Sequence, residues 1–159
     1  MILTRSEDIS IHDDTAQSIH EKKVSDLKNR LNLVAQYPNC ILVSIHQNFF
    51  EQSQYHGAQF FYSKNNPNSK YLAECLKNSV IDQLQPENTR ESKQAGKEIY
   101  LMWNTQVPAV LAECGFLSNA EEAEKLNTEE YRNQMAFSLM CGIVQYFQET
   151  GEVENGSKV

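Results

Sequence analysis

The sequence predicts an α/β fold: a mixed central β-sheet flanked by helices. Three observations carry this. Two short apolar runs, residues 40–45 and 107–112, have the length and bounding polar residues of buried strands. Three other segments repeat apolar residues at helical spacing. Strand-like and helix-like segments alternate along the 159 residues, with no internal repeat and no linker.

Taken in order, residues 1–5 read as the middle of a strand, an unusual beginning. Residues 6–23 are a polar stretch rich in Asp, Glu, Ser and His, long for a connection and of a length that often carries function. Val24, Leu27, Leu31 and Val34 predict a helix over 23–36, stopped by Pro38-Asn39. A strand over 40–46 follows, then a polar loop to His56 and a second, aromatic-rich strand over 58–63. The breaker Asn65-Asn66-Pro67-Asn68-Ser69 precedes an amphipathic helix marked by Leu72, Leu76, Ser79, Val80 and Leu84. Residues 85–97 form another long polar loop, and 99–103 and 109–113 read as strands. Ser118/Glu121, Asn119/Glu122 and Asn127/Glu130 resemble capping boxes, so two helices start in succession. The last presents Tyr131, Met135, Leu139, Gly142, Ile143 and Tyr146 on one face and ends near Thr150-Gly151. A disordered tail is expected over 151–159, and the expected order is β-α-β-β-α-β-β-α-α.

This length suits one domain. At 40% hydrophobic and 22% charged, the composition is that of a globular protein. A formal charge of -7 argues against nucleic acid, which is bound through Lys and Arg on phosphates. It also argues against general attraction to an anionic membrane or wall, so such a substrate has to be recognised locally. No apolar stretch is long enough to span a membrane, and no basic-then-apolar signal peptide opens the chain. Cys40, Cys75, Cys114 and Cys141 match neither zinc-finger nor redox spacing and sit in apolar patterns, which predicts buried free thiols.

Chemistry concentrates at two strand ends. The first apolar run delivers His46, followed by Gln47 and Asn48, two amides suited to holding a carbonyl or sugar. The second delivers Glu113, followed by Cys114 and Gly115. Ligands of α/β sheets bind outside the carboxyl ends of strands. A histidine there is either a satisfied core residue or a ligand. A carboxylate straight after Val110-Leu111-Ala112 implies a salt bridge or a function, because burying it unpaired costs several kcal/mol. Imidazole and carboxylate together are the raw materials of a metal-assisted hydrolase. Gly115 permits close backbone approach. A Cys114 nucleophile paired with His46 is the rival, and strand alternation opposes it by turning Cys114 to the other face. His12, His20 and His56 lie in polar stretches without the i, i+4 spacing of a zinc motif and read as solvated.

Leu3-Thr4-Arg5 with Asp8, Arg30 in a helix, Val43-Ser44-Ile45-His46-Gln47-Asn48, Gly57, and the run from Pro108 through Glu113-Cys114-Gly115-Phe116-Leu117-Ser118-Asn119 together resemble the zinc-dependent N-acetylmuramoyl-L-alanine amidases. The polar segment 6–23 and Gln47 resemble the clostridial type that acts on spore cortex in sporulation and germination. The resemblance implies hydrolysis of the amide between muramic acid and the L-alanine of the peptidoglycan stem. It implies His46 as a zinc ligand, Glu113 as the catalytic carboxylate, Gln47 and Asn48 as substrate-binding amides, and a Zn2+ cofactor. It further implies an extracytoplasmic site in cell wall or spore cortex, and leaves room for an activator protein. The family's other two zinc ligands, a His in a Gly-His-Gly turn and a Glu on its first helix, lie upstream of the Leu-Thr-Arg strand. Residues 1–150 are therefore expected to be an amidase domain lacking its first strand and helix, weakly active or inactive alone. The alternative is a non-catalytic peptidoglycan-binding or regulatory remnant.

Overall fold

A computed structural model describes residues 1–151. The chain runs α1 (Ile19–Ala35), β1 (Leu42–Asn48), β2 (Gln59–Tyr62), α2 (Asn68–Gln83), β3 (Lys93–Gln94), α3 (Tyr100–Asn104), β4 (Ala109–Phe116), α4 (Ala120–Asn127) and α5 (Glu129–Thr150). The predicted tail, apart from Gly151, lies outside the described residues. The sheet order is β1-β4-β2-β3, with β1 parallel to β4, β4 antiparallel to β2, and β2 parallel to β3. The expected mixed sheet with helices on its faces is what forms.

Two expected strands are absent. Residues 1–5 make no sheet pairing. Thr4 instead accepts a hydrogen bond from Arg30 at 2.9 Å, and Arg5 turns back on Asp8 and the Ile9 carbonyl. Residues 99–103 form most of the short helix α3 rather than a strand. The polar segment ahead of α1 is held to that helix: Asp26 accepts from Ser10 and the Ile11 amide, and Asn29 donates to the Ile11 carbonyl and Asp13. Helix α1 starts earlier than its apolar spacing predicts, because Ser18 and Glu21 form a reciprocal capping box.

The core has two layers. On one face Ala58, Phe60, Val110, Ala112 and Cys114 pack against Leu72, Leu76 and Val80 of α2 and Met135, Leu139 and Tyr146 of α5. Gly142 lets α2 and α5 approach closely. A Cβ there would stand 2.8 Å from both the Cys75 carbonyl oxygen and Leu76 Cα. On the other face Ala109 and Leu111 pack with Leu27 and Leu31 of α1 and with Leu101 and Met102 of α3. Strand β4 is buried almost throughout, but β1 is the sheet edge and is far less buried than its apolar run predicts. Ile45 is 62% exposed, and Phe137, Met140 and Val144 of α5 also lie open.

Candidate functional site

Strand alternation places Leu111 and Glu113 on the α1 face of the sheet and Ala112 and Cys114 on the α5 face. His46 pairs with Glu113 on one side and Gln59 pairs with it on the other. Residues directly opposite in a ladder share a face, so His46, Glu113 and Gln59 form one row across three strands at the carboxyl end of β4. The expected pairing of His46 with Glu113 at one sheet edge is present.

Beyond that row β4 carries a bulge. Pairing advances from His46 to Asn48 on β1 but from Glu113 to Phe116 on β4, one residue more. Cys114 and Gly115 therefore both turn toward the α5 face, and Phe116 returns to the face of Glu113. The surroundings of Gly115 agree: a Cβ there would lie 3.2 Å from Glu122 Oε1 and Leu126 Cδ1 of α4. Gly115 thus makes room for α4 rather than for a ligand.

Glu113 is half-buried, and its Oε2 is buried with no hydrogen-bond partner. Burial raises the carboxyl's pKa above its ordinary value. No salt bridge accounts for it among the described residues, so the first explanation for a carboxylate at this position falls away. His46 is exposed at the sheet edge, its Nε2 3.0 Å from Ser44 Oγ. Partial burial lowers its pKa, and the cationic Arg30 and Arg5 add to the effect. A neutral imidazole with a free lone pair is the form that ligates metals.

The other expected residues divide. Asn48 shares the His46 face and is half-buried, whereas Gln47 alternates to the far side and with Ile45 lines a hollow against Leu126, Met135 and Leu139. Cys114 is buried, and burial followed by the charge of Glu113 pushes its thiol up to about 12. A thiol buried on the sheet face opposite His46 has no access to the imidazole that would activate it, which argues against the cysteine-hydrolase alternative. All four cysteines are free, as expected, but only Cys75 and Cys114 are buried as well, while Cys40 and Cys141 are half-buried. His20 lies on α1, not in a loop, and is exposed.

Three features of the site went unpredicted. Glu122 accepts from the Gly57 amide through Oε1 and from the Phe116 amide through Oε2, both at 2.8 Å, tying the start of β2 to the end of β4. Its partners make Asn119 a simple N-cap, since the side chain of a reciprocal box is committed elsewhere. Gln59 is buried, donates to the Glu91 carbonyl at 2.6 Å, and accepts from Arg90 at 3.4 Å. Arg90 lies over the Phe116 ring, 4.7 Å from its centroid. Glu122 left a trace in the sequence as a capping-box residue, though not as the tie it makes, and Gln59 as a polar residue on the same strand face as Phe61.

A family model described as N-acetylmuramoyl-L-alanine amidase matches residues 1–145. The chain belongs to that amidase family. The germination-specific N-acetylmuramoyl-L-alanine amidase of Bacillus subtilis (strain 168) is 32% identical over 156 residues, which cover 96% of this chain and 63% of that protein. The structure of the CwlD amidase from Clostridioides difficile in complex with the GerS lipoprotein superposes with a TM-score of 0.88 at 38% identity, covering 93% of this chain and 75% of that one. The catalytic domain of the CwlV amidase from Bacillus (Paenibacillus) polymyxa gives 0.71 at 28% identity, over 92% and 72% of the two chains. The chain thus spans less than two thirds of the length of its Bacillus subtilis relative.

The amidase family implies zinc, and a catalytic zinc takes three protein ligands and a water. His46 is chemically suited, but among the described residues no group of three His, Cys, Asp or Glu side chains is placed to hold a metal. These residues alone do not make a zinc centre.

Proposed function

We propose that this chain serves in hydrolysis of the amide between muramic acid and the L-alanine of the peptidoglycan stem, with Glu113 as general base. The observation that carries this is the orphaned, burial-raised carboxylate of Glu113 in register with His46. A base poised above the ordinary carboxylate range holds a proton more readily at the moment it must take one. Glu113 takes a proton from the attacking water as its oxygen bonds the lactyl carbonyl carbon. It then gives that proton to the alanine nitrogen as the C–N bond breaks. Asn48 on the same face is placed to orient the substrate carbonyl or sugar. Among the described residues His46 is the side chain we assign to the zinc; the steps assigned to Glu113 are derived without the metal.

The Bacillus subtilis relative, a germination-specific N-acetylmuramoyl-L-alanine amidase, supports the substrate class and a germination role, and that substrate carries with it a location in cell wall or spore cortex. The Clostridioides difficile complex makes a lipoprotein the natural candidate for a partner. The test is release of stem peptides from purified peptidoglycan with zinc supplied. Wild type should release them and Glu113→Gln should not; equal release by both would remove Glu113 from the reaction. A second reading, a peptidoglycan-binding chain without hydrolysis, is favoured by the lack of a three-donor metal group among the described residues. It expects muropeptide binding unchanged by chelator and no release by either protein.

A further inference from the structure

Arg90 is a held but unspent cation beside the Glu113 row. Its Nε donates to the His56 carbonyl at 2.7 Å and its Nη1 to Gln59 Oε1. The guanidinium sits against the rings of Phe116 and Tyr55, 4.7 and 5.7 Å from their centroids, on one side of a pair of rings that touch each other. Among the described residues it has no carboxylate partner, and its Nη2 has no hydrogen bond. The other arginines are accounted for differently. Arg5 and Arg30 pair with Asp8 and Asp26, and Arg132 caps the carbonyls of Leu126 and Asn127 at the end of α4. Fixing a half-buried guanidinium by ring stacking and two neutral acceptors leaves its charge available, and its planar fork suits a carboxylate.

Position narrows the ligand. Gln59 stands one strand away from Glu113, ~4.8 Å in a sheet, and the Gln59 side chain carries the line on to Arg90. An extended peptide advances ~3.4 Å per residue, so a stem with its scissile amide at Glu113 that runs across β2 points its second residue toward Arg90. In peptidoglycan that residue is a γ-linked glutamate with a free or amidated α-carboxyl group. We propose that Arg90 binds the free α-carboxylate of this second stem residue and so selects unamidated stems. The proposal rests on the amidase reading. It also answers the charge problem: a chain of net charge -7 recognises an anionic substrate through one shielded local cation.

The test is calorimetric binding of two synthetic N-acetylmuramoyl tripeptides that differ only in whether the α-carboxyl of the second residue is free or amidated. Wild type should prefer the carboxylate by about 10- to 100-fold, the scale of a charge-assisted hydrogen bond. Arg90→Met keeps an apolar stem against the rings; it should erase the preference while binding the amidated ligand within about twofold of wild type. Arg90→Lys, which keeps the charge without the fork, should retain a reduced preference. Equal binding of both ligands by wild type, preference surviving in Arg90→Met, or equal loss of both ligands in that variant would each overturn the proposal. Wild type binding neither muramoyl ligand would instead overturn the peptidoglycan reading beneath it.

Discussion

Replacing Glu113 by methionine should stabilise the fold while ending hydrolysis. The side chains are similar in length, and methionine has no oxygen to strand. In the wild type, Oε2 is buried without a partner, and an unsatisfied buried polar atom costs about 1–3 kcal/mol. Because the residue is only half-buried, the lower part of that range, about 1–2 kcal/mol, is expected. For a domain of this size that is roughly 2–8 °C in melting temperature. The pH dependence separates this cause from ordinary repacking. Burial raises the folded-state pKa of Glu113 above its ordinary 4.5. Below that value the group is protonated in both states and costs the fold little. As pH climbs through the raised folded value, the wild type alone loses stability. Urea unfolding followed by circular dichroism, with chelator present, should show the variant's advantage widening as pH rises above 4.5 and levelling once the raised folded value is passed. A variant no more stable than wild type at about pH 8, or an advantage that does not change with pH, would refute the reasoning.

Further outcomes follow from the same contacts. Gly142→Ala should destabilise by about 1–3 kcal/mol in urea unfolding, since the new methyl meets the α2 backbone at 2.8 Å. Asp26 is held down to about 2, chiefly by its hydrogen bonds with Arg30, so its stabilising contribution is present above its ordinary 3.8 and fades as pH falls toward 2. Asp26→Asn should therefore cost about 1–2 kcal/mol near neutrality, after allowance for solvent screening, and progressively less in acid melts. Glu122→Gln should slow stem-peptide release by loosening the end of β4, because an amide cannot accept from the Gly57 and Phe116 amides through both of its heteroatoms. Zinc competition against a chromophoric chelator should find binding by this chain weaker than about 1 μM, far below the ~10–16 kcal/mol of complete structural sites.

The strands that carry His46 and Glu113 were legible because a short apolar run ended by a polar residue is a local signal. The row they form was not, since it depends on a register between residues far apart in sequence. Residues 99–103 show why an apolar run too short for a period is ambiguous: the same run serves as the helical turn α3 when its carbonyls find partners locally, as when the Trp103 amide donates a hydrogen bond to the Ile99 carbonyl. Residues 1–5 have strand-like composition, but a strand also needs a neighbour, and Thr4 and Arg5 bond elsewhere. The start of α1 was within reach, for Ser18 and Glu21 have capping-box spacing. Arg90 lay hidden in a polar loop. Nothing local distinguishes an arginine that will be stacked on Phe116 from one that will be solvated.

The division of labour between β4 and β1 explains how an unsatisfied carboxylate persists. Strand β4 is paired on both sides and buried against both core layers, so Glu113 cannot relax toward solvent without disrupting the best-packed strand in the molecule. The bulge at Cys114-Gly115 adds a second restraint. It keeps the residues after Glu113 pinned under α4, with Glu122 holding the Phe116 amide. Gln59, the one polar side chain beside Glu113 in the paired row of β2, is occupied by the Glu91 carbonyl and Arg90 and so leaves the carboxylate unsatisfied. On the other side β1 is the open edge, which leaves His46 accessible where Glu113 is fixed. On the proposed function, a rigid base beside an accessible imidazole lets substrate enter from the β1 side and be cut against β4, and the cost of keeping Glu113 unsatisfied is carried by the packing of the central strand.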